Sequence, residues 1–167
     1  IGSLSIDPPL LLAPMAGISN LPFRMLNREY GCVLAFTEMI SATGLVRDTR
    51  KTRRYLDTAP GDRPLGVQLF GAEPAVLAEA AAIATAAGAD LIDLNMGCPV
   101  RKVVRTGAGA ALMKRPALAF EIMTAVRRAT ALPLTVKIRA GWNARSVNAP
   151  EIAGLAAEAG LDAVIVH

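Results

Sequence analysis

The chain has 167 residues, 53% of them hydrophobic and only 4% aromatic, which is enough for one domain with a sizeable core. No apolar run is long enough to span a bilayer, and "LLLAPMAG" is too short and lacks the basic leader of a signal peptide. Two cysteines exclude a disulfide framework and point to a reducing, cytoplasmic setting, while a net charge of +4 permits a polyanionic partner without requiring one.

Short apolar runs alternate with longer amphipathic or alanine-rich segments. "LLLA" (10–13) reads as a first strand. Asn20 then caps a helix that carries Pro22 in its first turn and runs to about Glu29, where Gly31 ends it. "CVLAFTE" is the second strand, followed by a short helix over 41–46 and an irregular basic stretch. "PLGVQLF" is the third strand, "PAVLAEAAAIATAAG" a helix and "DLIDLN" the fourth strand. "PALAFEIMTAVRRAT" is a helix, "LTVKIR" the fifth strand, "APEIAGLAAEAG" a helix and "DAVIVH" the sixth strand. A helix, a glycine and an apolar strand recur at Gly31, Gly88 and Gly160.

Repeated β–α units with continuous apolar strands imply a parallel sheet covered by helices, either an open doubly wound sheet or a β/α barrel. No G-x-G-x-x-G follows the first strand, which argues against a dinucleotide-binding open sheet. Polar groups close five strands at the same end: Glu38, Gln68, Asn95, Lys137 and His167. In a (β/α)8 TIM barrel those ends converge on one mouth, where active sites lie. The expected fold is therefore a TIM barrel truncated to about five β/α units plus a sixth strand. Residues 1–167 would form its N-terminal portion, and the remaining strands would lie beyond His167.

Cys98 stands just past a strand end, in a turn shaped by Gly97 and Pro99, and its thiol can donate a proton. Without further context it would be read as an inert buried thiol, as Cys32 is. Lys137 ends an apolar strand, an expensive place for an ammonium group unless it meets an anion. Gln68 and Asn95 carry amides that both donate and accept. No metal site is expected.

The strings "LAPMAGISNLPFRML", "VQLFG", "LNMGCPVRKV", "GAGAALMKRP", "TVKIRAGW" and the final "VH" occur in the order and spacing of the tRNA-dihydrouridine synthases. The chain resembles a bacterial, B-type member over essentially its whole length, and the Asn-x-Gly-Cys-Pro segment is the most specific piece. The resemblance implies FMN as cofactor, NADPH as reductant and tRNA as substrate, with a uridine C5–C6 double bond reduced. It also implies a C-terminal helical tRNA-binding domain, absent here, and a monomeric full-length protein. By resemblance Cys98 protonates C5. Pro14, Met15, Ala16, Gln68, Lys137 and His167 contact the flavin. Asn95 sits between flavin and substrate, and Arg139, Arg101 and Lys102 face the base or RNA phosphates. The basic run "RDTRKTRRY" (47–55) is expected on the tRNA-facing rim. Relatives have Thr-Asp where this chain has Ser19-Asn20, and either pair can cap the helix. Two rival readings are an FMN barrel acting on a free pyrimidine, like the dihydroorotate and dihydropyrimidine dehydrogenases, and an inactive barrel fragment.

Overall fold

The structure, a computed structural model, describes the backbone of residues 1–167 and every side chain except that of Lys51. Seven strands form one parallel sheet: β1 (Leu11–Leu12), β2 (Leu34–Phe36), β3 (Ile40–Ser41), β4 (Leu65–Phe70), β5 (Leu91–Asn95), β6 (Leu134–Ile138) and β7 (Ala163–Val166). Their order is β1-β2-β4-β5-β6-β7, with the two-residue β3 pairing beside the C-terminal end of β4. Each long strand lies next to its successor, with no reversal of direction across the sheet. A doubly wound sheet reverses at its first strand. The winding here is single and always the same way, which makes the molecule one half of a β/α barrel.

Seven helices complete the units: α1 (Leu21–Glu29), α2 (Ala42–Val46), α3 (Arg50–Arg53), α4 (Pro74–Ala86), α5 (Arg101–Val104), α6 (Pro116–Ala129) and α7 (Ala149–Glu158). Local chemistry sets their limits. Asn20 Oδ1 accepts from the Phe23 N–H at 3.1 Å and starts α1, with Pro22 inside the first turn. Gly31, Gly88 and Gly160 take positive φ after α1, α4 and α7, letting the chain turn back toward the next strand. The basic stretch expected to be irregular folds instead into α3 and a 3₁₀ turn at Arg54–Leu56, started by the Thr49 hydroxyl accepting from Thr52 N–H. Nor did the periodicity announce α5 or the 3₁₀ turn at Gly109–Lys114, since both are too short to show a period.

Side chains alternate across the sheet. Val67, Leu69, Ile92, Leu94, Leu134, Val136 and Ile138 face outward into the main core, against Leu77, Ala80, Ala81 and Ala84 of α4 and Ile122, Met123 and Val126 of α6. The small alanine face of α4 lets it pack closely beside α6 and the sheet. The inner face is different. At its base Leu34, Phe36 and Leu91 form a second cluster, roofed by Ile1, Leu4 and Ile6 of the N-terminal segment and by Ile165. Gly66 makes room for the Phe36 ring, since a Cβ there would sit 2.5 Å from a ring carbon. Above this apolar base the inner face turns polar.

Candidate active site

Because the strands are parallel, every loop that follows a strand lies at one end of the sheet. That end carries residues 13–20, 37–39, 71–73, 96–115 and 139–148, and His167 after β7. The inward-facing positions beneath it are Gln68 on β4, Asp93 and Asn95 on β5, and Thr135 and Lys137 on β6, held level by the strand registers Gln68–Asp93 and Asn95–Lys137.

These side chains form a connected chain of hydrogen bonds. Gln68 Nε2 donates to Asp93 Oδ2 at 2.6 Å, and Thr135 Oγ1 donates to Asp93 Oδ1 at 2.6 Å. Asn95 Nδ2 donates to Gln68 Oε1 at 2.9 Å. Asn95 Oδ1 then accepts from the backbone N–H of Cys98 at 2.9 Å and of Gly97 at 3.3 Å. Gln68, Asp93 and Thr135 are fully buried, so no water competes for these bonds. Burial pushes the Asp93 carboxyl up to about 6, against the opposing pull of its bonds from Gln68 and Thr135 and of the Lys137 charge.

The Cys98 turn is held from a second side. The Ala110 N–H donates to the Cys98 carbonyl at 2.9 Å, and Gly109, at φ +60°, packs so closely that a Cβ would lie 2.6 Å from that oxygen. The same segment is braced against the loop after β6: the Asn148 amide donates to the Met113 carbonyl at 2.9 Å, and the Lys114 ammonium lies 4.1 Å from the Trp142 ring centroid. Cys98 is half-buried, with its neighbours Pro99 and Val100 exposed beside it.

Lys137 lies on the wall of a cavity of about 380 Å³ that opens between the two edge strands, lined also by Ala13, Pro14, Phe36 and Ile165. No carboxylate lies within 4.0 Å of its ammonium among the described residues. Burial holds the Lys137 pKa below the ordinary lysine value. Asp93 opposes that shift and Arg139 adds to it. Arg139 and His167 meet at a smaller cleft of about 210 Å³ with Trp142 and Asn143.

The sequence-predicted residues are thus largely brought together. Gln68, Asn95 and Cys98 share one hydrogen-bond chain, Pro14 and Lys137 share one cavity, and Arg139 and His167 share the adjoining cleft. Met15 and Ala16 line neither space. Met15 instead closes the turn after β1, its N–H donating to Ser19 Oγ at 2.9 Å and its carbonyl accepting from the Ile18 and Ser19 N–H groups. Arg101 and Lys102 stand exposed on α5, just beyond Cys98, with no carboxylate in reach among the described residues. No group of three or more His, Cys, Asp and Glu side chains is placed to hold a metal ion among the described residues.

The basic run 47–55 does not lie on this rim. It sits instead toward the opposite end of the sheet, where α4 ends. There Leu45, Val46, Asp48 and Arg53 border a cavity of about 580 Å³ with Ile83, Ala86 and Ala87 at the end of α4. Arg53 is taken up by Asp48 through a two-point ion pair. Two residues on the site side escaped the sequence reading. Asp93 was signalled by an acid inside an apolar strand, two residues before Asn95 and hence on the same face. Gly109 had no signal beyond the glycine-rich string that contains it.

Residues 11–167 match the model of the dihydrouridine synthase (Dus) family. The chain is 45% identical to tRNA-dihydrouridine synthase B of Xanthomonas axonopodis pv. citri and 43% identical to that of Pseudomonas aeruginosa, over all of its own length. It spans about half the length of these curated relatives, 50% in each case. Among solved structures, the carboxyl transferase domain of Rhizobium etli pyruvate carboxylase superposes on 93% of the chain, and on 26% of that protein, with a TM-score of 0.59 at 20% identity. A likeness at that identity speaks for the barrel architecture alone.

Proposed function

This chain belongs to the dihydrouridine synthase family, and on that premise we propose that it is the N-terminal part of a flavin-dependent catalytic barrel that reduces uridines in tRNA to 5,6-dihydrouridine. The observation that carries the reading is the Cys98 turn, pinned by Asn95 on one side and Gly109–Ala110 on the other, at the mouth where Lys137 has no carboxylate within 4.0 Å among the described residues.

The residues present fit FMN. Pro14, Ala13, Phe36 and Ile165 offer an apolar wall, and Lys137 offers a cation to the electron-rich edge of the ring. His167 and Arg139 border the adjoining cleft, and Met15 and Ala16 supply the loop above β1. FMN, recharged by NADPH, would supply the hydride for uracil C6.

The chain's own residues do the rest. Cys98 holds a proton on Sγ and gives it to C5. Its turn cannot drift, because its N–H and its carbonyl are both bonded within the protein, so the sulfur stays where the chemistry needs it. The Asn95 and Gln68 amides fix the floor beneath the reacting base. Arg101 and Lys102 meet phosphates and hold the RNA over the mouth; Arg139 reaches the base or a neighbouring phosphate. A uridine in a loop reaches such a recess more cheaply than a paired one, whose extrusion costs a few kcal/mol. A helical tRNA-binding domain, a monomeric state and a cytoplasmic location complete the proposal. No helix among the described residues is long and apolar enough to cross a membrane.

The test is Cys98→Ala in the intact protein that carries this chain, assayed for dihydrouridine on unmodified tRNA. Removing a general acid lowers product formation by about 10²–10⁴-fold, with NADPH oxidation retained. Product formation at the parent rate refutes the assignment. Turnover of free uracil or orotate in place of tRNA would replace the substrate reading.

A further inference from the structure

We propose that Asp93 is the positioning residue of the Cys98 turn: its buried carboxylate dictates the amide orientation of Gln68, and through Gln68 that of Asn95, so that Asn95 presents an oxygen to the Gly97 and Cys98 N–H groups. The inference rests on the reading of Cys98 as proton donor, and concerns how that donor is held.

The argument is one of polarity. A carboxylate accepts and does not donate. Asp93 is fully buried, and its two oxygens each receive one neutral donor, Gln68 Nε2 and Thr135 Oγ1, both at 2.6 Å. Gln68 therefore turns its NH₂ toward β5 and leaves Oε1 for Asn95 Nδ2. Asn95 in turn has only Oδ1 left to face the turn, where two backbone N–H groups point. Rotate either amide by half a turn and NH₂ meets NH₂, or NH₂ meets backbone N–H. One arrangement alone pairs every donor with an acceptor, and it is held from both ends, by the acceptor-only carboxylate at the inner end and the backbone N–H donors at the outer. Among the described residues Asp93 makes no ion pair within 4.0 Å that would explain its presence otherwise. A leucine or valine at this buried strand position would carry no desolvation cost.

Substitutions at Asp93 test this through the reactivity of Cys98 in the intact protein. Cys32, the other cysteine, serves as control; it is half-buried near the start of β2, its Sγ 3.3 Å from the Leu34 carbonyl. Asp93→Leu leaves the buried Gln68 Nε2 without its acceptor, loosens both amides, and changes the rate of Cys98 alkylation by iodoacetamide about fivefold, the weight of one buried hydrogen bond, while Cys32 keeps its rate. Asp93→Asn restores the parent rate to within about twofold, because its oxygen accepts from Gln68 while its NH₂ donates to the Thr135 hydroxyl, which can rotate to accept. In an Asn95→Ala background Asp93→Leu has no further effect on Cys98, since the two act in series. Three results overturn the proposal: an unchanged Cys98 rate in Asp93→Leu, additive effects of Asp93→Leu and Asn95→Ala, or a parallel change at Cys32. Should Asp93→Leu not fold, Asp93→Asn and Gln68→Leu carry the test. The second severs the link between Asp93 and Asn95 and shifts Cys98 labelling away from the parent rate that Asp93→Asn keeps, and equal labelling of the two refutes the idea. Alkylation requires no uridine reduction. A fully active Cys98→Ala enzyme would thus sink the proton-donor reading without touching this result.

Discussion

Burying Asp93 should make the protein lose stability, relative to a neutral isostere, as pH rises toward neutral, and the size of the effect follows from its environment. The carboxyl is raised from an ordinary 3.8 to about 6, chiefly by burial. At about 1.4 kcal/mol per tenfold change in proton affinity, that rise corresponds to about 3 kcal/mol. The sign follows from proton counting. Between 3.8 and about 6 the folded protein binds the proton that the unfolded chain has already released, so stability falls as pH rises through this window and stays lower above it. Asp93→Asn removes the titration and keeps the shape. The stability of the Asn variant relative to the parent should therefore grow by about 2 kcal/mol between about pH 4.5 and about pH 7.5, the rest of the roughly 3 kcal/mol lying at lower pH. Urea unfolding of both proteins at several pH values measures this directly, because the titrating groups that do not sense Asp93 cancel in the difference. Any change in hydrogen bonding from the new amide adds a constant offset and leaves the slope untouched. A flat difference, or one that shrinks with rising pH, would show that the carboxyl is not raised and that solvent or a cation reaches it.

Other outcomes follow from the same geometry. Gly109→Ala drives a Cβ to 2.6 Å from the Cys98 carbonyl; together with the positive φ this should cost about 1–3 kcal/mol of stability and, in the intact enzyme, lower dihydrouridine formation more than NADPH oxidation. Lys137→Met should weaken FMN binding, read by quenching of flavin fluorescence on titration, and unchanged affinity would remove Lys137 from the cofactor contact. Asp62→Ala strips the buried Arg24 of its partner at 2.7 Å and should destabilise by about 3–5 kcal/mol in denaturant unfolding. Neutralising Arg101, Lys102 and Arg105 should reduce the salt slope of tRNA binding by about 2–3, whereas neutralising Arg47, Arg50 and Arg54 should leave it unchanged; the reverse result would put the RNA on the other end of the barrel.

That last contrast shows where the sequence was legible and where it misled. The strands were plain because β2, β4, β5 and β6 are buried on both faces and read as apolar runs. Their helices were plain because Pro22, Pro74 and Pro116 open them and Gly31, Gly88 and Gly160 follow them or their neighbours at positive φ. Charge, by contrast, carries no address. Five basic residues in nine looked like a nucleic-acid rim, yet the run packs beside the C-terminal end of α4, away from the strand C-termini. Asp93 was hidden for the complementary reason. It lies within an apolar strand, so composition assigns it to the core. Only the two-residue spacing to Asn95, repeated between Thr135 and Lys137 on the next strand, places all four on the inner face. In a barrel, then, chemistry is found by following the period of the strand inward from the mouth rather than by the density of charge along the chain. By that criterion the proposed site is the inward file of Gln68, Asp93, Asn95, Thr135 and Lys137, with Cys98 as its outermost member.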